Sequence, residues 1–203
     1  MPEINQQTKS PHQNQLRFVG LLLVIGLSRH IPLSYPELSN FSPILALVLL
    51  SGASLRGYWS WVTPLCAVLV TDLIINPSYG LSLLEPFMLV TLLSYFLIFL
   101  LGKKLSSTKS LGKLIGGGIA GALLFHFITC GFAWLGNPAY AKSASGFLQA
   151  LTIGEPGFAP AYLFLRNTLA STILFTAALG WIALRIKAPA SPAISNPRPV
   201  RSN

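Results

Sequence analysis

Apolar residues gather into six stretches along the chain, with polar and turn-forming residues between them. The stretches are Leu16–Ser28, Ile44–Leu55, Tyr58–Ile75, Pro86–Leu101, Leu114–Leu135 and Pro160–Ile186. Each predicts a helix that sits in a bilayer, whose crossing takes about 20 residues, range 17–25. The third, fifth and sixth meet that length. The first, second and fourth fall short, so they borrow flanking residues, span a thinned region or stop partway. Short segments of this kind are where broken helices and binding sites occur in transporters.

Composition agrees with the pattern. The 203 residues are 52% hydrophobic and 9% charged, with a mean hydropathy of +0.62. Soluble domains carry roughly a quarter charged residues, so this chain cannot cover a water-facing surface of its size. The fold class expected is an all-α integral membrane protein, a bundle of six transmembrane helices over residues 16–187. Residues 1–15 and the proline-rich residues 188–203 read as disordered cytoplasmic tails. Phe18–Leu27 could pass for part of a signal peptide, but Ser28-Arg29-His30-Ile31-Pro32 offers no small-residue cleavage pattern. It reads as a retained first span.

Charge then sets the orientation. The net charge of +9 does not point to nucleic acid, because the basic residues flank apolar runs instead of forming a patch. With the N-terminus inside, Lys9, Arg17, Arg56, Lys103, Lys104, Lys109, Lys113, Arg185, Lys187, Arg198 and Arg201 share one side. Arg29, Lys142 and Arg166 take the other. An 11-to-3 split that alternates consistently is a positive-inside pattern, and it places both termini in the cytoplasm of a multi-pass cell-membrane protein. The bilayer is thus the first partner, and the Lys103–Lys113 loop serves topology or contacts anionic lipid.

Acidic residues lean the other way: Glu37, Asp72, Glu85 and Glu155 fall at or near the outer side, where the connections are also long. Long loops on one face of a bundle hold binding determinants. Asp72 and Arg166 are the charges best placed within the membrane. Counting from Tyr58 and from Pro160, they lie about 21 Å up the third span and about 9 Å down the sixth. Both reach the outer third of the bilayer, where an ionisable group is costly unless paired or hydrated. The expectation is that they face one another, or a shared small-molecule ligand, in an outer pocket. A structural ion pair that only fixes packing is the competing reading. Asn167 and Asn76 extend the polar surface, with Thr71 and Thr168. Arg29, Asn40 and Glu85 complete the candidate set at the outer connections.

Pro43, Pro86 and Pro160 each open a span that runs inward, which suits the first helical turn. Three helix N-termini would then present free N–H groups and partial positive charge to the outer face. Aromatic residues at the outer ends, Tyr35, Phe41, Tyr79, Trp134, Tyr140, Phe158 and Tyr162, form an interfacial belt. His126 and Cys130 share a helix face, but neither they nor Cys66 make a metal or disulfide signature. No metal or cofactor is expected, and no nucleophile constellation points to an enzyme. Gly117 and Gly121 form a small-xxx-small seam for internal packing.

The chain resembles an uncharacterised bacterial family of small six-span membrane proteins. The resemblance rests on Ser28-Arg29, Asn40-Phe41-Ser42-Pro43, Ser51-Gly52-Ala53, Pro64, Asp72 and Arg166-Asn167-Thr168-Leu169. More distantly, it is similar to the substrate-binding S components of energy-coupling factor transporters. That similarity implies a small-solute-binding transport subunit served by a partner ATPase module. One departure is that Leu16–Ser28 contains no alanine, where S components carry an Ala-x-x-x-Ala surface for the coupling subunit. The alternative function is a non-catalytic membrane scaffold or assembly protein. A polar, hydrated outer cavity would favour transport, and a dry interior the scaffold.

Overall fold

The computed structural model describes residues 11–78, 80, 82 and 86–187, whose regular elements are all helices, with no strand among them. Helix α1 covers Pro11–Leu27 and passes into two 3-10 turns, Ser28–Ser34 and Pro36–Leu38. Then follow α2 (Ile44–Ser54), α3 (Trp59–Ser78), α4 (Pro86–Lys104), α5 (Leu111–Gly136), α6 (Ala144–Leu151) and α7 (Ala161–Lys187). Among the described residues, five helical stretches are long and apolar enough to cross a membrane. The remaining apolar helix, α2, is the short one.

This resolves the three short segments differently. The first gains length at both ends, because the apolar helical run continues through the 3-10 turn from His12 to Ser34, 23 residues in all. Its start at Pro11 lies within the stretch expected to be tail. The fourth reaches 19 residues by taking in Lys103 and Lys104. The second stays short. At 11 residues it rises about 16 Å, half the thickness of a hydrocarbon core.

Every residue of α2 from Ile44 to Ala53 is buried. A helix that is apolar all round belongs in the middle of a bundle, and α3, α4, α5 and α7 surround this one. Its approach to α4 is set by two glycines. A Cβ on Gly52 would lie 2.4 Å from the Phe99 carbonyl oxygen, and one on Gly102 would lie 2.2 Å from that of Leu49. Backbone therefore meets backbone on both sides of the crossing. The expected seam on α5 also packs internally. Gly117 and Gly121 face Leu105 and Ile98 of the α4 side, and Gly118 faces Thr172 and Thr176 of α7.

Two ends can be distinguished. At one, the tight turn Arg56-Gly57, with Gly57 at a φ of 60°, gathers with Lys103 and Lys109. At the other, the residues that precede α2 fold back over its N-terminus. The connection of residues 136–159 is not wholly loop, since it contains α6. Its N-cap Ser143 accepts a hydrogen bond from the Gly146 amide at 3.3 Å. His126 of α5 holds this helix by a 2.8 Å contact between Nε2 and the Leu151 carbonyl. Residues 1–10 and 188–203, and with them most of the expected tails, lie outside the described residues, as do Tyr79 and Glu85.

Candidate functional site

Because α2 stops short, the bundle has space beyond its N-terminus. That space is a cavity of about 500 Å³, bounded by Ser42, Ile44 and Leu45 at the helix start. Arg29 comes to it from the 3-10 turn after α1, and Asp72, Ile75 and Asn76 from the far half of α3. Met88, Thr91 and Tyr95 of α4, Phe125 and Thr129 of α5 and Thr168 of α7 complete the wall.

Asp72 does have a cationic partner, but the partner is Arg29 and not Arg166. Arg29 Nη1 donates to Asp72 Oδ1 and, at 2.9 Å, to the Thr71 hydroxyl oxygen. The Thr71 hydroxyl in turn donates to the Ala67 carbonyl at 2.7 Å. The two charged side chains keep 18% and 12% of their surface, so the pair faces the cavity instead of being sealed in packing. Depth along a helix was not enough to identify the partner. Arg29 follows α1 by two residues and was counted with the interface, yet the 3-10 turn that packs on α3 carries it inward.

Arg166 is exposed and does not line the cavity. Its Nε and Nη2 donate to Asn167 Oδ1 at 3.1 and 3.0 Å. Asn167 is buried and donates through Nδ2 to the carbonyls of Glu37 and Ser39, at 2.8 and 2.9 Å. These two residues form a clamp from α7 onto the segment that covers α2. The clamp helps to fix Asn40, which lines the cavity with a left-handed φ of 64°. Asparagine tolerates that region better than most residues. Asn76, also in the wall, donates to Met88 Sδ at 3.5 Å and so ties α3 to α4.

Of the seven candidates, the structure thus brings Arg29, Asn40, Asp72 and Asn76 to one cavity. Asn167 and Arg166 stand behind it, and Glu85 lies outside the described residues. Two aromatic residues were missed. Tyr95 and Phe125 stack almost parallel, 5.6 Å between centroids and 5° between planes, and both line the cavity. The available signal was a tyrosine in mid-span, where its hydroxyl needs a polar neighbourhood.

The chemistry on offer is that of binding. Among the described residues the wall holds one guanidinium and one carboxylate, two side-chain amides, several hydroxyls and an aromatic stack. Such a mixture of apolar wall and few placed polar groups is that of a small-molecule site.

Compared with known proteins, the chain matches the model of a family of unknown function, DUF6580, over residues 9–192, and it belongs to that family. No curated protein and no solved structure matches it.

Proposed function

We propose that this protein crosses the membrane six times, with both termini cytoplasmic, and captures a small net-neutral polar solute as the binding subunit of a transport system. In this reading α2 and the folded segment before it together make the second crossing. The orientation rests on the 11-to-3 distribution of basic residues, which puts the cavity at the outer face.

The observation that carries the proposal is the cavity at the truncated end of α2, with an ion pair turned towards it. A bundle serving only as a scaffold gains nothing from holding a guanidinium, a carboxylate and two amides away from close packing. The balance of one positive and one negative group favours a ligand that is neutral or zwitterionic over a net ion. The start of α2 adds partial positive charge and free N–H groups for an acceptor. Release on the basic side belongs to the same proposal, driven by a partner ATPase module as in the S components the sequence resembles.

The test is a thermal-shift screen of amino acids, betaines and neutral heterocycles on detergent-solubilised protein, with mass spectrometry of molecules that co-purify. Stabilisation by a member of the panel that disappears in Asp72→Asn and Arg29→Gln supports the reading. If no solute stabilises the wild type and no small molecule co-purifies, the proposal fails.

A further inference from the structure

Below the cavity, a second space of about 200 Å³ runs between α3 and α4. Its walls are Trp61, Pro64, Leu65 and Val68 of α3 and Leu92, Phe96 and Phe99 of α4, with Val48 of α2 at the back. Here α3 packs on α1 and α2 and barely touches α4, so the groove opens sideways.

The cavity and the groove follow one another in register on all three helices. On α3 the cavity residues Asn76 and Asp72 lead at helical spacing to the groove residues Val68, Leu65 and Trp61. On α4, Met88 and Thr91 lead to Tyr95 and Phe99. On α2, Ile44 and Leu45 lead to Val48. Residues four apart share a helix face, so each helix presents a single stripe to both spaces, and on α3 that stripe is polar at the cavity end and apolar in the groove. Tyr95 lines both spaces. Its ring flanks the groove and belongs to the aromatic stack of the cavity.

We infer that the ligand is a zwitterionic amphiphile, with its head in the cavity and its hydrocarbon chain in the α3–α4 groove. This rests on the capture reading of the cavity and narrows its net-neutral solute to one whose polar head carries a hydrocarbon chain. An anionic group of the head meets Arg29, and a cationic group meets Asp72 and the aromatic faces of Tyr95 and Phe125, which attract cations. The chain leaves sideways past Tyr95 and lies along Leu92, Leu65 and Trp61. A water-soluble solute would use the first space and have no use for the second. An ordinary bilayer chain would use the second without regard to its head.

Bromine on a lipid chain quenches tryptophan at contact, and Trp61 stands in the groove wall. A protein retaining Trp61 alone (Trp59→Phe, Trp134→Phe, Trp181→Phe) is reconstituted in dioleoylphosphatidylglycerol vesicles. A monoacyl phosphocholine with a dibrominated chain is titrated in, beside the methyl ester of the same brominated acid. The expected result is saturable quenching by the phosphocholine and quenching by the ester that grows only in proportion to its amount. The saturable part should be lost in Asn76→Leu, which changes the cavity, and in Leu92→Phe, which fills the groove. Proportional quenching by both probes means that bilayer chains occupy the groove, and it overturns the inference. Glycerophosphocholine, the head without its chain, separates this outcome from failure of the capture reading. If it raises the melting temperature of the wild type while the chain probe shows no saturation, the cavity binds a solute and the amphiphile falls. If neither probe binds, the amphiphile falls, and the capture reading is decided by the solute panel and the co-purified molecules.

Discussion

Arg29 reaches across 43 residues of sequence to pair with Asp72, and it does so from a 3-10 turn and not from a neighbouring span. The pair joins the end of α1 to α3 at the mouth of the space beyond α2. Removing one member leaves its partner in a partly desolvated place with no counter-charge. Breaking a fully buried pair costs about 3–5 kcal/mol, and the remaining exposure of both side chains brings the expectation down to about 1–3 kcal/mol. Asp72→Asn and Arg29→Gln should each lower stability, and the double variant should be more stable than the sum of the two losses implies. Arg166→Gln should add independently to Asp72→Asn. A double-mutant cycle on melting free energies reads this directly. Coupling of Asp72 to Arg166, with none to Arg29, would contradict the pairing.

The apolar helices were legible from the apolar runs, five of them long enough among the described residues to cross a membrane. Partners across the bundle were not. Asp72 was identified as a site residue from depth and cost, but depth does not report the rotation of a helix or the path of a turn. Arg29 was therefore placed at the interface and Arg166 opposite Asp72. Likewise Gly117 and Gly121 stood out by spacing, while the backbone-to-backbone crossing of α2 and α4 joins Gly52 and Gly102, one glycine on each of two helices. No pattern within either helix marks that crossing. The folding of Asn40 over α2 was hidden for a related reason: its anchor, Asn167, comes from 127 positions later in the chain.

That glycine crossing makes a sharp prediction. An added methyl at Gly52 or Gly102 meets backbone, which cannot move aside as a side chain can. Overpacking a core typically costs about 1–3 kcal/mol, and backbone contact puts Gly52→Ala and Gly102→Ala at the upper end. Gly116→Ala is the control, because nothing lies within 4 Å of the methyl it would add. Melting temperatures in one detergent should fall for the first two and stay or rise for the third. Equal behaviour of all three would mean that α2 and α4 are further apart than described.

The Asn167 clamp predicts a local effect. Asn167→Ala deprives the Glu37 and Ser39 carbonyls of their donor, and because that segment is largely exposed the loss is the net worth of the two bonds, about 0.5–1.5 kcal/mol each. The consequence should be concentrated in residues 36–42, so amide hydrogen exchange there should quicken while exchange in α5 stays unchanged. Arg166→Gln loosens the same amide from its exposed side and should quicken exchange less. Uniform acceleration through the bundle would show that Asn167 supports the whole fold and not the cover of the cavity.

The proposed orientation has its own test, which does not depend on any ligand. Free Cys66 and Cys130 are first replaced by alanine, since Cys66 is exposed and Cys130 is partly so. Single cysteines are then placed at Ala139, an exposed position beside Tyr140 in the connection between α5 and α6, and at Lys109, between α4 and α5. These two connections sit at opposite ends of α5, a helix of 26 residues that rises about 39 Å, enough to separate them by a full bilayer. If the basic end is cytoplasmic, a membrane-impermeant maleimide added to intact cells labels position 139 and spares position 109 until the membrane is opened. The charge distribution demands that result, because Lys103, Lys104, Lys109 and Lys113 would otherwise have crossed against the rule that retains such loops. Labelling of position 109 from outside would invert the molecule. The cavity would then open to the cytoplasm, and capture from the outer face would be impossible whatever the cavity binds.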